Sequence, residues 1–243
     1  MNRNTSLPRD ISLRKGEVII WQIDLNICEN QVNDYLMILI EEEMLKANRF
    51  KFNRDKRNYI ICRGVLRILI GHYLNMNPKD VQLKYNEFEK PYLEDVFNLH
   101  FNVSHSKDLA IIGFFMDKPI GVDIEYMKSD FDLLGIANSF FSKTEINVLK
   151  QIPEQEMNTS FYRCWTRKEA FIKAQGNGLS FPLDAFAVSL TSDNKATLLE
   201  TKWDEAEKKR WDLHAFTPKE KYRAAFAIRG KVKSTLFKQW RHL

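Results

Sequence analysis

The sequence predicts an α+β fold, on three observations. Short strands with buried faces recur along the chain, at Glu17–Leu25, Phe101–Ser104, Leu109–Phe115 and Ile120–Glu125. Helical apolar periods run through 31–47, 58–74 and 159–175. The composition, with 44% hydrophobic and 12% aromatic residues in 243, is that of a chain able to bury a sizeable core.

Residues 1–16 are polar and expected to be loosely held. Val18, Ile20 and Gln22 alternate with Ile19, Trp21 and Ile23, so this strand is buried on both sides. An amphipathic helix follows over 31–47 through Val32, Tyr35, Leu36, Leu39 and Ile40. Asn48 to Arg57 then holds five cations in ten residues and leads into the apolar helix 58–74, which carries Arg63 and Arg67. Such a run is either a solvated face or a set of partly buried arginines in need of anions, one of them a ligand phosphate. Pro78–Tyr85 reads as a helix stop and a short strand, and Asn86 to Leu93 as a turn. Phe101-Asn-Val-Ser104-His105-Ser106 is a strand ending in small hydroxyls and a histidine, either a satisfied loop or a phosphate cradle.

Asp117-Lys-Pro turns the chain into Ile120-Gly-Val-Asp123-Ile-Glu125. Asp123 and Glu125 are two apart and leave one face of that strand. Neighbouring carboxylates raise each other's pKa unless a cation sits between them, so the pair is either a solvated face or a site for a hard divalent ion. Asp130–Phe140 reads as a helix. Ser142 with Glu145 forms a capping box opening a short one. In the long helix 159–175, Phe161, Trp165, Glu169 and Lys173 follow at i, i+4 on one face, and Gly176 supplies a left-handed stop. Glu169 and Lys173 taken alone suit a surface pair as well as a site. Strands are expected at 186–190, 196–199, 211–216 and 222–228.

Net charge is +5 and the pI is near 9.0, which favours an anionic partner: nucleic acid, a phosphorylated small molecule or an acidic protein. Three cysteines without metal-ligand spacing, Cys28, Cys62 and Cys164, suit a reducing compartment. The longest apolar run, Ala110 to Met116, is too short for a membrane span. The first residues lack the apolar segment of a secretory signal, so a cytoplasmic protein without membrane attachment is expected.

Gly121-Val-Asp-Ile-Glu125 and Trp165-Thr-Arg-Lys-Glu-Ala-Phe-Ile-Lys173 together resemble the signature pair of 4′-phosphopantetheinyl transferases of the Sfp type. Other segments match in order. Arg57 with Arg63-Gly-Val-Leu-Arg67 is similar to the family's basic helix, and Glu89-Lys90-Pro91 to its Gly-Lys-Pro turn, with Glu89 a departure from glycine. Phe101 to Ser106, Phe140-Phe141-Ser142 and Gly178-Leu-Ser180 also fit.

The resemblance implies two similar α/β halves related by a pseudo-twofold. Each would be a small antiparallel sheet packed on a long helix, with the active site between them. The N-terminal half would span 1–117 and the C-terminal half 118–243. No internal repeat is visible in the sequence itself. The implied activity is transfer of 4′-phosphopantetheine from coenzyme A to a serine of an acyl or peptidyl carrier protein, releasing adenosine 3′,5′-bisphosphate. Asp123, Glu125 and Glu169 would hold Mg²⁺ or Mn²⁺. Glu169 would be the general base, with Lys173 and Asp123 as further catalytic groups. Arg57, Arg63, Lys90, Ser104, His105 and Lys173 would bind coenzyme A, and Trp165 would support the site. No nucleic acid is expected, and a monomer is implied because one chain completes the site. A metal-dependent nuclease and a non-catalytic carrier- or nucleotide-binding module are the rival classes. The first needs a continuous basic or aromatic groove, and the second could lose its carboxylates without harm.

Overall fold

A computed structural model describes residues 12–27, 29–176, 178 and 181–242. Cys28, Leu179, Ser180 and most of the polar N-terminal stretch lie outside the described residues. The elements are β1 (Glu17–Asp24), α1 (Glu29–Leu36), α2 (Glu41–Asn48), α3 (Asn53–Leu74), β2 (Lys84–Tyr85), β3 (Pro91–Tyr92), β4 (Leu99–Ser106) and β5 (Leu109–Met116). They continue with β6 (Ile120–Tyr126), α4 (Leu133–Phe140), α5 (Lys143–Gln151), α6 (Glu154–Gln175), β7 (Phe186–Val188), β8 (Leu198–Thr201), β9 (Trp211–Phe216), β10 (Tyr222–Arg229) and β11 (Ser234–Gln239).

One order of elements occurs twice: a strand, three helices, a two-stranded ribbon and two more strands. The strand orders correspond as well, β1-β5-β4 in one sheet and β6-β10-β9 in the other. The long helices α3 and α6 each have 22 residues and each buries a cation at the same position, Arg67 and Lys168. Each cation is held by the third residue of the preceding helix. Arg67 Nε donates to Glu43 at 2.6 Å and Lys168 Nζ to Glu145 at 2.9 Å. Both glutamates also cap their own helix, accepting from Ile40 N and Ser142 N.

The sheets stack with a core on either side and one between them. Ile19, Trp21 and Ile23 of β1 face α3, whereas Val18 and Ile20 turn the other way, toward Val122, Ile124 and Phe226 of the second sheet. The predicted two-sided burial of this strand is therefore a division between two cores. On the far side, Ala225 and Ala227 of β10 pack with Phe171 and Ile172 of α6.

Three expectations are corrected. The helix over 31–47 is two helices, because Glu43 folds back to Ile40 N at 3.2 Å and starts α2 anew. The first sheet is not purely antiparallel: β11, which sequence reading missed, pairs parallel to β1, Glu17 opposite Ser234. Arg67 is fully buried rather than on a solvated face, its Nε donating to Glu43 and its Nη1 to the carbonyls of Pro78 and Val81.

Candidate active site

The site lies where the edge strand of the second sheet crosses the face of β4. Edge strands leave backbone N–H groups unpaired, and here side chains of β4 satisfy them. Asn102, Ser104 and Ser106, spaced two apart on one face, accept from Val122 N at 2.9 Å, Ile124 N at 3.4 Å and Tyr126 N at 3.0 Å. This stitching fixes β6 against β4. It also brings the Ser104 hydroxyl 3.0 Å from Asp123 Oδ1 and the Ser106 hydroxyl 2.8 Å from Glu125 Oε2.

Helix α6 reaches the same place because Gly121 lets it lie directly on β6. Its i, i+4 face then presents Trp165, Glu169 and Lys173 to the two β6 carboxylates. Gly176, at φ +83°, ends the helix in the left-handed conformation as expected. Lys173 Nζ donates to Asp123 Oδ1 at 2.6 Å and to Ser104 Oγ at 3.2 Å. Trp165 stacks on Phe161 and meets the edge of Phe140. Phe141 is buried in the core, whereas Phe140 stands 44% exposed at the rim.

Asp123, Glu125, Glu169, Lys173, Ser104 and His105 line one cavity of about 710 Å³. Lys90 approaches from the β2–β3 turn and donates to the carbonyl of Lys173. Glu89, in the position where the resemblance expects glycine, adopts φ +57°, a conformation glycine favours. The turn is held by Asn86, whose side-chain oxygen accepts from Phe88 N and Lys90 N. Arg63 lies away from the carboxylates. It is 7% exposed, 3.6 Å from Glu43, and lines a hollow of about 210 Å³ that shares Ser104 and His105 with the main cavity. Arg57 is farther off, donating to the Ile27 carbonyl at 2.5 Å beside Glu29.

The electrostatics follow from crowding. Burial, then the Asp123 charge, pushes Glu169 up to about 7. The same two causes raise Glu125, opposed by the Ser106 hydrogen bond. Burial alone would depress Lys173, but the Asp123 carboxylate outweighs it and holds the ammonium above its ordinary value. Burial, with the charge of Lys173, lowers Lys90 to about 8.

Among the described residues no group of three His, Cys, Asp or Glu side chains is arranged to hold a metal ion. The donor set nevertheless has the chemistry of a hard-cation site. Its groups are all carboxylates, Asp123 is 3% exposed, and its Oδ2 has no hydrogen-bond partner. Sequence reading saw Ser106 only as part of a possible phosphate cradle, and missed its hold on Glu125, the stitching by Asn102 and the packing at Gly121. The spacing of Asn102, Ser104 and Ser106 on alternate residues was the available signal for the first two.

Residues 119–227 match the model of the 4′-phosphopantetheinyl transferase superfamily, and residues 26–114 that of the 4′-phosphopantetheinyl transferase N-terminal region. The chain is 34% identical to 4′-phosphopantetheinyl transferase HetI of Nostoc sp. over 95% of its own length and 96% of the relative's. It is 36% identical to ffp and 33% identical to Sfp, both 4′-phosphopantetheinyl transferases of Bacillus subtilis, in each case over 72% of this chain and 77% of the relative. With 34% identity over nearly the full length of one such enzyme and both halves matched by family models, the chain belongs to the 4′-phosphopantetheinyl transferases, Sfp type.

Proposed function

We propose that the protein transfers the 4′-phosphopantetheine group of coenzyme A to a serine of an acyl or peptidyl carrier protein, with Mg²⁺, or Mn²⁺ in its place. The observation that carries this reading is the convergence of Asp123, Glu125, Glu169 and Lys173, from a strand and a helix some forty residues apart, on one cavity. A bound Mg²⁺, held by Asp123, Glu125 and Glu169, would neutralise the charge that develops as the phosphoanhydride breaks.

The chain's own residues do the rest. Glu169, directly or through a water, takes the proton of the carrier serine as its oxygen attacks the β-phosphorus. The P–O bond to adenosine 3′,5′-bisphosphate breaks, and Lys173 stabilises the phosphate oxygens on which the charge collects. Ser104 and Ser106 hold the β6 carboxylates in place. Lys90, Ser104 and His105 bind the phosphates and adenosine of coenzyme A, with Arg63 and Arg57 as outer contacts. The excess of positive charge speeds encounter with an acidic carrier.

The repeated order of elements supports two halves, 1–117 and 118–243, related by a pseudo-twofold, with β11 crossing back to the first sheet. Because every site residue comes from one chain, a monomer suffices. No helix among the described residues is long and apolar enough to cross a membrane. The buried free thiols of Cys62 and Cys164 support the reading of a cytoplasmic enzyme.

The test is to incubate the protein with coenzyme A, Mg²⁺ and an apo carrier protein and weigh the carrier by intact mass spectrometry. A gain of one phosphopantetheinyl group, abolished by EDTA and by Glu169→Gln, is expected. Coenzyme A binding without any gain on several unrelated carriers would instead favour a binding module.

A further inference from the structure

The Asp123 carboxylate has two claimants. Its Oδ1 accepts from the Lys173 ammonium at 2.6 Å and from the Ser104 hydroxyl at 3.0 Å, while its Oδ2 is buried without a partner. Glu125 spends one oxygen on Ser106, and Glu169 faces both acids across the cavity. The Lys173 ammonium thus stands near three carboxylates and is hydrogen-bonded to one of them, Asp123. A divalent ion on Asp123 would stand within a few ångströms of the Lys173 nitrogen, and like charges at that range in a half-dry cleft repel strongly.

The lysine is built to move aside. Its carbonyl is pinned by Lys90 and its helix is packed on β6, yet its side chain is 30% exposed and lines the main cavity. The backbone is held, and the side chain has the cavity beside it. Lys90 is a second cation near Lys173, and one of its three donors is spent on the Lys173 carbonyl.

We propose that Lys173 is the coupling element between the metal and the phosphate ligand: it competes with a divalent cation for Asp123, and a phosphate that draws its ammonium away opens that carboxylate to the cation. Free protein therefore binds the cation weakly, and cation and coenzyme A tighten each other by one and the same factor, as linkage requires. This rests on the transferase reading, from which it takes the identity of the phosphate ligand.

The experiment is equilibrium binding of Mn²⁺ to the full-length protein, read by the electron paramagnetic resonance signal of free Mn²⁺, with and without coenzyme A. Circular dichroism first confirms that each variant is folded. In the unsubstituted protein, coenzyme A should tighten Mn²⁺ by on the order of tenfold, and Mn²⁺ should tighten coenzyme A equally. Lys173→Met should bind Mn²⁺ more tightly than the unsubstituted protein when coenzyme A is absent, and its coupling factor should fall to the part that direct attraction between cation and phosphate supplies. Lys173→Arg, which keeps the charge, should retain the coupling. Weaker or unchanged Mn²⁺ binding by folded Lys173→Met overturns the gate. If Asp123→Asn still abolishes Mn²⁺ binding in that case, the transferase reading stands without the gate. Loss of Mn²⁺ binding in every form, the unsubstituted protein included, overturns both.

Discussion

Gly121 and Ala170 touch backbone to backbone: a β-carbon on Gly121 would lie 2.0 Å from the Ala170 carbonyl oxygen and 2.3 Å from the Ala174 nitrogen. Both obstacles are main chain of α6, so no rotamer change relieves them. Gly121→Ala must push the helix off β6, and overpacking of this kind costs about 1–3 kcal/mol or more. The same displacement withdraws Glu169 and Lys173 from Asp123. Urea unfolding should show a lower midpoint, and the transfer rate should fall further than the folded fraction accounts for. An unchanged midpoint would mean that the helix is not held by this contact.

The side-chain stitching between β4 and β6 makes a second prediction. Asn102→Ala leaves the buried Val122 N–H without its acceptor, at a cost of about 1–3 kcal/mol. Ser106→Ala removes the acceptor of Tyr126 N and the donor to Glu125 together. Both variants should be less stable in denaturant titrations, but only Ser106→Ala should also weaken metal binding in the folded protein. Equal metal affinity in the two would separate Ser106 from the carboxylate it touches.

These contacts mark where sequence reading succeeds and stops. Asp123 and Glu125 share a strand face, and Trp165, Glu169 and Lys173 share a helix face, because those periods are local geometry. The capping box of Ser142 and Glu145 and the stop at Gly176 were legible for the same reason. The break between α1 and α2 was not, since Leu36, Leu39 and Ile40 carry the apolar period through it. The break is made by Glu43, whose other partners, Arg63 and Arg67, are far along the chain. Nor was β11 legible. Most of its residues are exposed, and its pairing partner is β1, at the opposite end of the chain. Arg57 and Arg63 announced a need for anions, but which anion each meets is a tertiary matter.

Glu89 offers a test with the opposite sign. A non-glycine residue held at φ +57° carries about 1–2 kcal/mol of backbone strain. Its ion pair with Lys46 is exposed and worth little. Glu89→Gly relieves the strain but makes the unfolded chain more flexible, so stability should be unchanged or up to about 1 kcal/mol higher. Glu89→Val, branched at Cβ, should lose stability. A clear loss in the glycine variant would mean that the Lys46 contact outweighs the turn.

The buried pair of Lys168 and Glu145 is stabilising only as a pair. Lys168→Met strands a carboxylate that is fully buried, at a cost of about 3–5 kcal/mol. Glu145 also accepts from Val188 N at 2.7 Å and from Ser142 N at 2.8 Å, so Glu145→Gln removes the charge and keeps one of these two bonds. The double variant should therefore be more stable than Lys168→Met alone. A double-mutant cycle with no coupling would show that the two charges do not sense each other.

Lys90 gives the chain a pH dependence of known direction. Burial, aided by the nearby Lys173 charge, brings its pKa from 10.5 to about 8 in the folded protein. Between those values the unfolded chain keeps a proton that the folded chain has released, so this group's contribution to stability rises with pH across that window. Lys90→Met should flatten that part of the stability profile. Ligand binding runs the other way. A phosphate beside Lys90 favours the ammonium, so coenzyme A binding just above pH 8 should take up a proton, and affinity should fall as pH rises further. Calorimetry in two buffers of different ionisation enthalpy reads that proton directly, and its persistence in Lys90→Met would assign the uptake to another group.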